Sequence, residues 1–254
     1  MNKFSLLLVS VPCFVACASQ SGRYRVDVGP FFAHSTGVVA LQNAGGSLEL
    51  GQNQNAVDRD LGLGDTKASP YVRLQWENAK HRVRLHGFAF SEEGQGTLAG
   101  DFGGLVAGSQ VTTTMDYLSI AANWTYELLR GDHYRLGAGA QAGYYSLDIE
   151  ARSTLGREQV ETSVLVPMPF VEAEGLFDPF TLGANCSLMS ADLGDANGRY
   201  LDAEGYVRFS PGKDFDFFAG YRYVVLDCFG RAGSRDFDAD IDIQGFFFGA
   251  GIRF

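Results

Sequence analysis

Along much of this chain apolar and polar side chains alternate with a period of two, and the charges keep to one phase. Val72, Leu74 and Trp76 alternate with Tyr71, Arg73, Gln75 and Glu77. Val83, Leu85 and Ala89 alternate with Arg82, Arg84 and His86. Leu118, Ile120, Ala122, Trp124, Tyr126 and Leu128 are set against Tyr117, Ser119, Asn123, Thr125 and Glu127, and Leu201, Ala203, Val207 and Phe209 against Asp202, Glu204, Tyr206 and Arg208. Such a period marks strands with two unlike faces. After the N-terminal segment no run of about 18 apolar residues occurs, which excludes helical spans. The alternation continues to the last residue, with Phe246, Phe248, Ala250, Ile252 and Phe254 on one face and Gly245, Phe247, Gly249, Gly251 and Arg253 on the other. In water an apolar strand with an open edge is an aggregation hazard. In lipid, closure into a barrel removes the edge and gives the apolar face a solvent.

This ending resembles the C-terminal signal of Gram-negative outer-membrane β-barrels, with Phe246, Phe248, Ile252 and Phe254 as its recognition residues. The resemblance implies insertion by the barrel-assembly machinery, with periplasmic chaperones as transient partners. The N-terminus agrees. Lys3 precedes an apolar stretch from Phe4 to Ala16, too short to span a bilayer and of the kind found in secretory leaders. Ala16-Cys17-Ala18 suits signal peptidase, giving a signal peptide over 1–18 and a barrel domain over 19–254. The alternative is a lipoprotein signal over 1–16, with Cys17 acylated. Cys186 and Cys228 then remain, and are expected as free thiols packed among apolar groups. The net charge of −10 makes nucleic acid an improbable partner.

Turn signals alternate between short and long. Tight connections are expected at 77–80, 130–132, 177–179 and 211–214, and polar, Gly-rich loops at 34–68, 92–111, 149–161, 190–198 and 229–240. Together they describe an all-β fold: a transmembrane antiparallel up-and-down β-barrel of ten strands, with short periplasmic turns and long outer loops. Pro30 interrupts the first strand, Arg23 to Ala33, and Pro167 and Pro169 weaken the start of the sixth, so eight strands are the alternative. Trp76, Trp124, Tyr126, Tyr134 and Phe209 fall beside the short turns, where an aromatic girdle meets head groups.

The charged phase faces the lumen. It places Arg73, Glu77, Arg82, Arg84, His86, Glu127, Arg135, Glu172, Glu174, Asp202, Glu204, Arg208, Arg222 and Arg253 inside a narrow cylinder. Arginine forks and carboxylates at that range are expected to form an ion-paired plug, a core made of charges. Gaps in it would leave a thin path for small polar solutes. Asp236, Asp238, Asp240 and Asp242 alternate ahead of the final strand as an acidic ladder. Carboxylates suit divalent ions, but the spacing is neither that of an EF-hand nor that of a Gly-rich calcium repeat, and no metal or cofactor is assigned.

Catalytic signals are weak. His34-Ser35 invites comparison with outer-membrane lipid A deacylases, but their His-x-Ser-x-Asn pattern is absent. Omptin proteases carry an Asp-x-His at the rim, and no Asp-x-His occurs here. No catalytic residue is named. The sequence reads as a monomeric protein of the bacterial outer membrane, in contact with its lipids and lipopolysaccharide. Its expected role is structural or that of a narrow small-solute channel. The alternatives are a barrel enzyme acting on lipid A or peptides at the outer rim, and a loop-mediated surface-binding protein.

Overall fold

A computed structural model describes residues 22–43, 46, 50–192, 197–232 and 235–254. The leader, with Lys3, Cys13 and Cys17, lies outside the described residues. In chain order the elements are β1 (Arg23–Leu41), α1 (Leu50–Asn53), β2 (Gln54–Ala56), β3 (Lys67–Asn78), β4 (His81–Thr97), β5 (Gln110–Arg130), β6 (Tyr134–Arg152), β7 (Arg157–Phe177), β8 (Phe180–Asp192), β9 (Asn197–Phe209), β10 (Phe215–Ala232) and β11 (Arg235–Arg253). The ten long strands pair antiparallel with their neighbours, and β11 returns to β1 from Arg25↔Arg253 up to Leu41↔Phe237. The ring is closed, with ten strands and not eight. The three-residue β2 sits on the upper part of β1.

Tight connections at 79–80, 131–133, 178–179 and 210–214 define the lower end. There Tyr24 and Phe254 exchange backbone hydrogen bonds at 3.2 and 3.0 Å. At the upper end the loops expected at 149–161 and 229–240 are mostly strand. β6 runs to Arg152 and β7 begins at Arg157, while β10 runs to Ala232 and β11 begins at Arg235. β11 has 19 residues. At about 3.3 Å per residue and a tilt near 40°, such a strand rises close to 48 Å, against an apolar band of about 25 Å in barrels of this kind. The wall is therefore close to twice the height of such an apolar band.

The period of two holds over this height, but its polarity inverts. On β5 the outward residues are Leu118, Ile120, Ala122, Trp124 and Tyr126 below, and Asp116, Thr114 and Thr112 above. The inward residues are Ser119, Asn123 and Thr125 below, and Tyr117, Met115 and Val111 above. β11 switches at Gln244: Asp242, Asp240 and Asp238 face out above it, and Phe246 and Phe248 below. The outer surface passes from apolar to polar where lipid would give way to water, and the interior changes the opposite way. The loop expected at 229–240 is mostly strand, and its aspartates Asp238 and Asp240 are the outward face of β11.

Every proline within a long strand faces outward and marks a break in pairing. β1 loses its ladder to β11 at Gly29 and Pro30 and regains it at Phe31. Pairing of β3 with β4 begins only at Tyr71↔Phe88, just past Pro70. Pairing of β7 with β8 stops at Phe170↔Ser187, next to Pro169 and Pro167. In a pleated ring, outward residues of one strand direction all aim their N–H groups at the same neighbour. A proline there withdraws the donor for that neighbour. The prolines thus sit in the interior of β1, β3 and β7, as local edges, and they do not end or start strands.

Candidate functional site in the barrel interior

The lower interior is a mesh of side chains reaching across the ring. Arg208 on β9 grips Asp27 on β1 with both terminal nitrogens, at 2.6 and 3.0 Å. Asp216 lies between Arg25, Arg208 and Arg253, at 3.1, 3.4 and 3.1 Å. On the opposite side Arg82 donates to Glu77, Glu172 and Glu174, at 2.7, 3.0 and 2.8 Å. Arg135 pairs with Glu77 and Glu174, and Arg84 reaches Glu172 at 2.5 Å while donating to Gln75 at 3.0 Å. Arg73 spans the centre to Glu204, which also accepts from Tyr71, and Tyr206 donates to Glu174 at 2.5 Å.

The top of the mesh is set by Arg222. It forks onto Asp202 at 3.0 and 2.7 Å, and its remaining nitrogen lies 3.0 Å from Nδ1 of His86. Guanidinium has no acceptor, so Nδ1 must accept and the imidazole is neutral with its proton on Nε2. The guanidinium carbon also stands 5.2 Å above the Phe88 ring. Gln141 donates to Asp202 at 3.0 Å and accepts from Asn123, closing the layer. Buried charges are tolerable only when partnered in this way, because desolvation rivals the Coulomb gain.

Above Arg222 the interior is apolar, which corrects the expectation of a core made wholly of charges. Phe31 meets Phe88 edge-on at 4.7 Å, while beside the mesh Tyr71, whose hydroxyl donates to Glu204, stacks on Phe247 at 5.1 Å. Met115, Ile149, Val160 and Ile241 continue the core upward, each with no exposed surface. The connections after β1 and β4 fold over its mouth, burying Leu61, Leu63, Leu98, Phe102 and Leu105. Asn55 fixes them to each other, accepting from the backbone N–H groups of Ala99 and Gly100 at 3.0 and 3.1 Å. Glu92, buried beneath, accepts from Ser35 at 3.1 Å and from the Asp65 N–H at 2.8 Å.

Of the residues singled out by phase, Arg73, Glu77, Arg82, Arg84, His86, Arg135, Glu172, Glu174, Asp202, Glu204, Arg208, Arg222 and Arg253 take part in the mesh or bond to it. Glu127 stands at the lower rim and pairs with exposed Arg130 at 2.6 Å. Sequence reasoning missed Arg25, Asp27 and Asp216, and the polar partners Gln75 and Gln141. Asp27 and Arg25 lie in the inward phase of β1, so the alternation of Val26 and Val28 was signal enough. The break at Pro30 obscured it. Trp76, Trp124, Tyr126, Tyr134 and Phe209 lie outward near the lower connections, and Phe246, Phe248, Ile252 and Phe254 lie outward along β11.

A second feature lies in the upper wall. Beyond Phe170↔Ser187 β7 stays paired with β6 as far as Arg152↔Arg157, and β8 stays paired with β9 as far as Asp192↔Asn197. The two strands face each other there without a ladder. Behind the seam is a cavity of about 180 Å³ with a predominantly apolar lining. Cys228 faces it, and burial, then the carboxylates of Asp227, Asp238 and Asp240, push this thiol up to about 12. Among the described residues both cysteines are free: Cys186 is outward on β8, and β9 separates it from Cys228 on β10.

No protein-family model matches this sequence, and no curated protein matches it. Solved structures do. The chain is similar to the outer membrane protease OmpT of Escherichia coli, at 13% identity over 91% of this chain and 96% of that one, with a TM-score of 0.56. It also matches a FadL homologue of Pseudomonas aeruginosa (9% identity, 92% and 90% covered, TM-score 0.39) and Ail of Yersinia pestis (13%, 92% and 99%, TM-score 0.36). These are all bacterial outer-membrane proteins. At 13% identity the likeness to the protease establishes the fold alone, a closed antiparallel β-barrel of the outer-membrane kind, and no role within it.

Proposed function

We propose that this protein is an integral outer-membrane barrel with a sealed interior and a structural role, and that it does not conduct solutes. The observation that carries this reading is the double closure of the lumen. The lower half is crossed by paired arginines and carboxylates, and the upper half is filled by an apolar core under folded connections. A narrow channel needs a continuous polar path, and the apolar core interrupts it. The outward belt from Leu118 to Tyr126 and from Phe246 to Phe254 is the face that lipid would solvate. Lipids and lipopolysaccharide are its proposed surroundings, and the barrel-assembly machinery and periplasmic chaperones its transient partners. A protease-like reading has no support from the rim: among the described residues, the only histidine in an inward phase is His86, committed to Arg222 deep in the ring.

Planar-bilayer recording tests the proposal. Wild type is expected to give a silent trace. Arg84→Ala is expected to stay silent as well, because the apolar core above it is untouched. Discrete ohmic steps from wild type would overturn the sealed interior, whatever their selectivity.

A further inference from the structure

The seam between β7 and β8 is written into the sequence. Pro167 and Pro169 remove two N–H donors, both from the edge facing β8, as Pro70 does from the edge facing β4. The upper five residues of β8 therefore meet an edge that offers them few donors, and the wall stays unzipped. Inward-facing side chains beside the seam are only partly buried: Val164 on β7, Met189 on β8 and Cys228 on β10 pack against the core without being enclosed by it. On strands away from the seam, inward positions such as Ile149 and Ile241 are fully covered.

Val164 and Cys228 border a well-made space. Leu226, Ala239 and Ile241 form its back wall, and Tyr145 and Tyr200, stacked at 6.1 Å, form its floor. Two residues below Tyr200 on the same face comes Asp202, so this aromatic pair separates the cavity from the ion mesh. Leu188 stands at the foot of the seam and Leu165 further up its β7 side, 51% and 64% exposed on the outer face. Closed apolar cavities of roughly 150 Å³ take up benzene-sized molecules. This one is slightly larger, and the wall beside it, between β7 and β8, lacks a ladder.

We propose that the cavity is a binding site for a small apolar group, a monocyclic hydrocarbon or the terminal segment of an acyl chain, which enters laterally through the β7–β8 seam. The site goes beyond the structural reading and is compatible with a silent lumen, since it lies above the mesh and needs no path through it.

Nuclear Overhauser effects to the Ile241 δ-methyl and the Leu226 methyls test it, in full-length protein in nanodiscs. In the first arm the lipids are deuterated and toluene is the probe. In the second the acyl chains are protonated and no toluene is added. Contacts in the first arm identify a hydrocarbon from solution as occupant, and contacts to acyl termini in the second identify lipid. Ala239→Phe, which fills the back of the cavity, is expected to abolish them while heat-modifiable migration stays that of a folded barrel. Pro167→Val with Pro169→Val restores the missing donors and is expected to abolish them by zipping the seam. Absence of contacts in both arms overturns the site. Contacts that persist unchanged in the proline double variant overturn lateral entry.

Discussion

Arg222 is only 1% exposed, yet every nitrogen has an assigned partner: Asp202 for two, His86 for the third. Truncating it leaves Asp202 buried with only Gln141 as donor. Arg222→Ala is expected to cost about 3–5 kcal/mol, read from denaturant unfolding in lipid vesicles. The double variant Arg222→Met/Asp202→Leu should cost less than the sum of the two single changes, because it leaves no lone charge. Ser69 shows a subtler kind of satisfaction. Pro70 cannot donate to the Ala89 carbonyl opposite, and the Ser69 hydroxyl donates to it at 2.7 Å in its place. Ser69→Ala should therefore cost on the order of 1–3 kcal/mol, and much less in a Pro70→Val background, where a backbone donor returns. Asp240 is a case of the opposite sign. It sits directly across from Asp227, and burial and this neighbour hold its carboxyl, like that of Asp238, above the ordinary value of 3.8. A carboxyl raised in the folded state destabilises it once ionised, so stability is gained as pH falls from neutrality through the raised value. Protection factors of the upper β10–β11 amides, corrected for the intrinsic pH dependence of exchange, should rise between pH 7 and pH 4, and Asp240→Asn should remove part of that response.

At the scale of the element, each long strand has two segments with one period and opposite polarity. Placing arginine at Ile120 and at Thr114, on the same face of β5, separates them. Ile120→Arg meets lipid near the middle of the belt and is expected to cost roughly 2–4 kcal/mol, whereas Thr114→Arg lies above the belt and should be near neutral. Equal costs in vesicle unfolding would mean that the belt edge is misplaced. This inversion also explains what sequence reasoning could and could not read in a strand. In the lower segments, from Val72 to Trp76 or from Leu118 to Tyr126, apolar residues face out and charges in, and each residue declares its side. Above, the outward face of β11 is Asp238, Asp240 and Asp242 and the inward face is Phe237, Ala239 and Ile241. Glycines and aspartates at high density suggest loops, and only pairing to β1 and β10 makes them strand. The prolines were legible as disturbances, but which neighbour each one disconnects depends on the direction in which the pleat aims the N–H.

For the molecule as a whole, the strand count, the closure and the sorting of faces follow from the alternation itself. A strand of two unlike faces must find a solvent for each, and a ring is the arrangement that leaves no edge. The inward phase was therefore readable for Arg73, Arg82, Arg84 and Glu204 before any contact was known. Their partners were not readable, because Arg73 meets Glu204 across 131 positions of sequence, and the tilt and stagger of ten strands decide which residues share a level. The same holds for the apolar upper core, which needs the connections after β1 and β4 to fold inward and cover it. It holds most of all for the cavity behind the β7–β8 seam, which no local pattern announces. Local alternation fixes the side on which each residue stands, since that depends only on the pleat. Height, register and the gaps between strands depend on the closed ring, and those are what assemble a mesh, a core and a cavity from residues far apart in the chain.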